Sequence, residues 1–211
     1  MQNIISSQMI MGFTEIVIAS TNIGKISEIK ELLSFHTKDE VQVLSLKDYK
    51  IKEPDEPFQT FQANAIHKAK YYAQKTGKVC LAEDSGLCVN ALDFFPGVRS
   101  KEFIEESGGI LQAMRLLEEK LINQDSLSAF FQSAIAIHFP NSEEFVTEEA
   151  KDYGTLNFPA RGIYGFGFDR IFIPDGYDLT FGEMGVSKKN KISHRAKALE
   201  AIIQKLSSLQ N

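Results

Sequence analysis

Glu15 to Leu33 reads EIVIASTNIGKISEIKELL. The β-branched run Ile16-Val17-Ile18 favours an extended strand, and the polar group Ser20-Thr21-Asn22 ends it. Directly afterwards Ile26, Ile29 and Leu33 recur at helical spacing. A buried strand feeding straight into an amphipathic helix is the opening of an α/β unit.

The pattern continues outward from that stretch. Val41 to Leu46 alternates like a strand, and Glu53 to Pro57 is an acidic loop broken by prolines. Thr60 to Thr76 predicts a second helix with Gly77 as its stop. Phe61, Ala65, Ala69 and Tyr72 form one stripe of that helix, and Asn64, Lys68 and Tyr71 form the adjacent one. Val79 to Ala82 reads as a strand, Glu83-Asp84-Ser85-Gly86 as a turn, and Leu87 to Leu92 as another strand. Ser107 to Ile122 predicts a third helix. Ser128 to Phe139 and Glu144 to Lys151 then read as antiparallel strands across an Asn141-Ser142 turn. Gly154 to Gly167 is glycine-rich and aromatic, Ile171 to Ile173 a brief strand, and Ser193 caps a final helix with Leu199, Ile202, Ile203 and Leu206 on one face. The expected organisation is one α/β domain over residues 14–211, with a β-rich lobe at roughly 93–160 and an extension at 1–13. Met9 or Met11 is a candidate start.

At 211 residues, 43% hydrophobic and 24% charged, the chain can bury a core unaided and carries no sign of disorder. A formal charge of −5 argues against long nucleic acid as the main partner, although lysines in a pocket can still hold a small anion. The two cysteines, Cys80 and Cys88, lack metal-site or disulfide-framework spacing and read as buried free thiols on neighbouring strands. No signal peptide and no membrane-spanning run is apparent, so the expected compartment is the cytoplasm.

Five segments carry side chains suited to chemistry, each with a plainer alternative. Ser20-Thr21-Asn22-Ile23-Gly24-Lys25 sits at a helix start, where backbone N–H groups and a lysine attract phosphate; it is equally an ordinary helix cap. It is not a Walker A loop, since Ala19 and Ile26 replace the glycine and the hydroxyl residue. Glu83 and Asp84 are adjacent carboxylates able to hold a hard cation or orient a water, or simply to make a polar turn. Lys68 is one turn beyond Asn64. Gly165-Phe166-Gly167-Phe168-Asp169 offers aromatic rings to a flat ligand, or core phenylalanines at a glycine kink. Ser193-His194-Arg195 opens the last helix, with Lys188, Lys189 and Lys191 just before it.

Taken in order, these segments resemble the inosine triphosphate pyrophosphatase family, over about Ile16 to Leu206. The family's Thr-Gly-Asn-x-x-Lys loop corresponds to Ser20 to Lys25, its Thr-Phe-x-x-Asn-Ala helix to Thr60 to Ala65, and its Asp/Glu-Asp-Ser-Gly turn to Glu83 to Gly86. Pro-Gly-x-x-Ser is Pro96 to Ser100, Gly-Phe-Gly-Tyr-Asp is Gly165 to Asp169, and the closing Lys-x-x-x-Ser-His-Arg is Lys189 with Ser193 to Arg195. The departures are Thr21 for glycine, Ala63 for glutamate, Arg99 for tyrosine, Phe168 for tyrosine and Arg170 for proline.

The resemblance implies an elongated, bent mixed β-sheet with flanking helices, two lobes enclosing a cleft, and a homodimer. It implies hydrolysis of ITP, dITP or XTP to the monophosphate and pyrophosphate. Asp84, Lys25 and Lys68 would be catalytic, and Mg2+ would sit on Glu56 and Asp84. Ser20, Thr21, Asn22, Lys25, Ser85, Phe166, Gly167, Phe168, Asp169, Lys189, His194 and Arg195 would bind substrate. Two alternatives remain: a pyrophosphatase retuned to another nucleotide, and a weakened nucleotide-binding protein on the same scaffold.

Overall fold

A computed structural model describes residues 14–37 and 41–208; the extension at 1–13 and its candidate starts lie outside them. The chain is α/β. Its six-stranded sheet has the order β2-β1-β3-β4-β5-β6, with β1 (Glu15–Ile18), β2 (Gln42–Ser45), β3 (Cys80–Val89), β4 (Ser128–His138), β5 (Phe145–Leu156) and β6 (Phe172–Pro174). β1 runs parallel to both β2 and β3, whereas β5 and β6 are antiparallel, so the sheet is mixed as expected. The helices are α1 (Ile23–Thr37), α2 (Phe61–Thr76), α3 (Ser100–Glu106), α4 (Ile110–Leu121), α5 (Phe181–Met184), α6 (Val186–Ile192) and α7 (His194–Ser208). No helix among the described residues is long and apolar enough to cross a membrane.

The described residues divide into two compact units: those within 14–84, 133–150 and 195–208, and residues 85–132 and 151–194. The first unit packs Ile16 and Ile18 of β1, Ile29 and Leu33 of α1, and Leu199 and Ile202 of α7 into one core. The second packs Leu87, Leu117, Phe131, Phe168, Phe172 and Phe181 into another.

Helix α2 follows its sequence signals closely. The Thr60 side chain accepts from the Ala63 N–H at 3.2 Å, and Gly77, at φ +66°, ends the helix by donating to the Ala73 carbonyl. The apolar stripe Phe61, Ala65, Ala69, Tyr72 is buried, and so are Asn64 and Lys68 from the adjacent stripe. A buried lysine needs a partner charge, so its position already marks a site.

Four expectations need correction. Glu83 to Gly86 is not a turn, because β3 continues unbroken from Cys80 to Val89. Two carboxylates normally end a strand, but here ion pairs and hydrogen bonds from other elements compensate their burial. Cys80 and Cys88 therefore share one strand rather than lying on neighbours. Both are free and buried, and burial pushes their thiols up to about 11 and about 12 respectively.

The third correction concerns the helix expected over Ser107 to Ile122, which begins only at Ile110, as α4, after a separate helix, α3, has ended at Glu106. Gly108 at φ +81° and Gly109 at φ +118° adopt backbone that other residues resist. There the Gly109 N–H closes α3 on the Ile104 carbonyl at 2.9 Å, and the Gly109 carbonyl accepts from Ala113 at 3.0 Å to begin α4. Fourth, the strand expected to end at Lys151 runs on to Leu156, where Gly154 to Leu156 pairs with β6.

Gly86 has a close-approach role in the second unit. A Cβ there would lie 2.2 Å from the Gly97 carbonyl oxygen and 2.5 Å from Ser100 Oγ. Ser100 Oγ donates to that carbonyl at 2.7 Å and accepts from the Leu87 N–H at 3.1 Å. The Pro96 to Ser100 segment thus clasps the middle of β3.

Candidate active site

Within the first unit, β3 brings Glu83 and Asp84 into two separate buried clusters. Asp84 Oδ1 accepts from Lys68 Nζ at 3.2 Å, and its Oδ2 accepts from Asn64 Nδ2 at 3.2 Å. Lys68 Nζ also lies 3.2 Å from Glu56 Oε1. One ammonium therefore sits between the two carboxylates expected to bind metal. Burial pushes the Asp84 carboxyl above its ordinary range against the pull of Lys68 and Lys25, with Glu56 adding to the rise. Burial would lift Glu56 as well, but Lys68 outweighs it and leaves that carboxyl low. Lys68 is raised, since Asp84 and Glu56 together overcome the cost of burying its charge.

Glu83 serves the other cluster. Its Oε1 accepts from Ser133 Oγ at 2.8 Å and lies 3.0 Å from Arg195 Nη2, while its Oε2 lies 3.3 Å from Lys25 Nζ. The other terminal nitrogen of Arg195, Nη1, pairs with Glu28 on α1. Arg195 is only 1% exposed, so it is no ordinary solvent-facing first-turn residue.

At the start of α1, Asn22 Oδ1 accepts from the Lys25 N–H at 3.2 Å, and Ser20 Oγ accepts from the Asn22 N–H at 3.2 Å. Asn22 is thus a helix cap. The N–H groups of Ile23 and Gly24, in the first turn, have no intrahelical carbonyl to bond. Capping and anion binding are compatible at this terminus. Thr21 Oγ1 reaches Glu53 Oε2 at 3.5 Å, the long end of hydrogen bonding, and so ties this loop to the acidic one.

In the second unit, Lys189 Nζ pairs with Asp169 Oδ2 at 2.6 Å, and the same oxygen accepts from the Phe166 N–H at 2.8 Å. The Lys189 ammonium also lies 4.7 Å from the centre of the Phe166 ring. Gly165, at φ +74°, and Gly167, at φ +57°, let the chain bend around this contact. Phe168 is packed in the core, its ring stacked against Phe103 at 6.4 Å. His194 stacks on Phe131 with ring centres 4.7 Å apart. Ser85 follows Asp84 in β3 and is half-buried.

A sequence model of the Ham1 family matches residues 16–205. This chain belongs to the Ham1 family. A dITP/XTP pyrophosphatase of Caulobacter vibrioides is 41% identical over 186 residues, spanning 87% of this chain and 93% of the relative. Among solved structures, a HAM1 protein from Coxiella burnetii superposes with a TM-score of 0.83 at 32% identity, covering 93% of this chain and all of that one (100%). A Mycobacterium abscessus protein described as a nucleoside-triphosphatase and dITP/XTP pyrophosphatase gives a TM-score of 0.70 at 34% identity, over 89% of this chain and 96% of the other.

Sequence reasoning about this Ham1 chain missed Glu28 and Ser133. Glu28 had a signal: it stands four residues before Leu32 and beside Ile29, on the buried face of α1, and is itself buried. An acid on an apolar stripe calls for a cation partner. Ser133 had none, since a serine within an apolar strand is commonplace.

Proposed function

We propose that this chain is a divalent-metal-dependent pyrophosphatase that hydrolyses dITP, ITP and XTP to the monophosphate and pyrophosphate. The observation that carries it is the pairing of buried Asp84 and Lys68 with half-buried Glu56, with Lys25 nearby on Glu83. The names of the similar proteins supply the substrate class. Magnesium as the ion, a homodimer as the working form and the cytoplasm as the compartment are the finer parts of the reading.

The residues fit a hard cation. Glu56 and Asp84 provide oxygen donors, and each ionised carboxylate keeps lone pairs beyond those that Lys68 and Asn64 engage. Two carboxylates against the Lys68 ammonium leave negative charge for a cation to offset. When bound, the ion supplies Lewis-acid polarisation of phosphate oxygens and a more acidic water.

The protein's own groups do the rest. Water attacks the α-phosphorus, the bond from that phosphorus to the bridging oxygen breaks, and pyrophosphate leaves with that oxygen. Asp84 takes the proton of the attacking water, and burial makes its carboxylate a better base than an exposed one. Lys25 and the first turn of α1 offset triphosphate charge, with Ser20 and Thr21 flanking it. Lys68 holds Asp84 and Glu56 in register. Phe166 is assigned to stacking on the base, and Lys189 and His194 to donating toward a 6-oxo group. Adenine presents an amino donor there instead, and each donor left unpaired costs roughly 1–3 kcal/mol. Arg195 is reassigned from reading the base to fixing Glu28 and Glu83.

A phosphate assay over dITP, ITP, XTP, dGTP and ATP, run with and without added inorganic pyrophosphatase, tests this. Phosphate is expected only when the auxiliary enzyme is present, with dITP, ITP and XTP well ahead of ATP. Phosphate release without it, or an ATP preference, contradicts the proposal.

A further inference from the structure

The segment Ile51 to Phe58, which carries Glu56, forms neither helix nor strand. Its position is set by one face of α2. Asn64 grips the segment's far end twice, accepting from the Phe58 N–H and donating to the Phe58 carbonyl, both at 3.1 Å. Lys68, one turn on, holds Glu56 itself. Tyr71, a further turn on, donates its hydroxyl to the Lys52 carbonyl at 3.0 Å. These three residues share a helix face, and together they fasten the loop at its start, at its acid and at its end. Pro54 and Pro57 lie between the outer fastenings and fix φ there, and Pro57 also confines Glu56 to extended backbone. The loop is therefore stiff between two anchors, so releasing one end should move Glu56 rather than only loosen a distant strand.

We infer that Tyr71 is a positioning residue for the metal-binding acid: through the Lys52 carbonyl it holds the acidic loop so that Glu56 meets Asp84 and Lys68. The inference rests on Glu56 and Asp84 being the metal pair. The Tyr71 ring is independently held, edge-on to Tyr72 at 5.2 Å and under Lys75 Nζ at 5.9 Å. Tyr71→Phe accordingly keeps the ring contacts and removes only the tie. Tyr72→Phe is the matched control, because the buried Tyr72 hydroxyl meets no hydrogen-bond partner among the described residues.

Two readouts test this in the full-length protein. Hydrogen exchange at the amides of Glu53, Asp55, Glu56 and Phe58 should quicken in Tyr71→Phe and not in Tyr72→Phe. The magnesium concentration giving half-maximal dITP hydrolysis should rise roughly threefold to tenfold, the scale of one lost hydrogen bond, while kcat at saturating magnesium changes little. Unchanged exchange, or quicker exchange with an unmoved magnesium requirement, overturns the positioning role. Failure of the metal-site reading looks different: Asp84→Asn would then retain turnover, whatever Tyr71→Phe does.

Discussion

Asp84→Asn lowers turnover by at least ~100-fold and leaves the protein folded. The side chain keeps its volume, and its remaining carbonyl oxygen can still accept from Lys68 or Asn64. What disappears is the negative charge that would take the proton of water and share a cation with Glu56. Folding should tolerate the loss. Because burial raises the Asp84 carboxyl, the folded state disfavours its charged form relative to the unfolded chain, so a neutral amide removes an unfavourable charge. Lys68 keeps Glu56 as its partner at 3.2 Å. Turnover by stopped assay and thermal melting by circular dichroism check both halves. A folded Asp84→Asn protein with wild-type turnover would mean that the base lies elsewhere.

Arg195→Ala has the larger expected effect on stability. It removes the guanidinium that pairs with both Glu28 and Glu83, of which Glu83 retains Lys25 and Ser133. Removing one partner of a buried ion network costs about 3–5 kcal/mol, because the uncompensated charge stays inside. For a chain of this size that corresponds to a fall of roughly 6–20 °C in Tm. Arg195→Lys should recover only part, since one ammonium cannot present two forks to two carboxylates. A residue on the exposed first turn of a helix would shift stability by no more than about 0.5 kcal/mol. If Arg195→Ala melted like wild type but lost its preference for inosine over adenosine triphosphate, Arg195 would be a base-reading residue after all.

How much was legible in the sequence depended on how local the cause was. The α2 helix could be read to its ends because Thr60 and Gly77 act within one turn of where they stand. The Glu83 to Gly86 segment was misread as a turn because its cause is distant. Glu83 is 112 residues from Arg195 in the chain, and Asp84 is 16 from Lys68 and 20 from Asn64. Local polarity favours a turn, and only tertiary partners make a strand of it. The double glycine at Gly108 and Gly109 was visible, yet the apolar spacing of Ile110, Met114 and Leu117 drew the helix start too far back. For the candidate site, the residue types were readable one by one. Their pairing was not, and it is pairing that places Lys68 between two acids, sets Arg195 against Glu28 and Glu83, and sends Phe168 into the core.

The most direct test follows oxygen. Hydrolysis of dITP in water enriched in oxygen-18, followed by phosphorus NMR of the products, locates the attacked phosphorus. Attack at the α-phosphorus, with Asp84 taking the proton, puts the label in the monophosphate and leaves pyrophosphate unlabelled. Label in pyrophosphate, or release of inorganic phosphate with a nucleoside diphosphate, would contradict it.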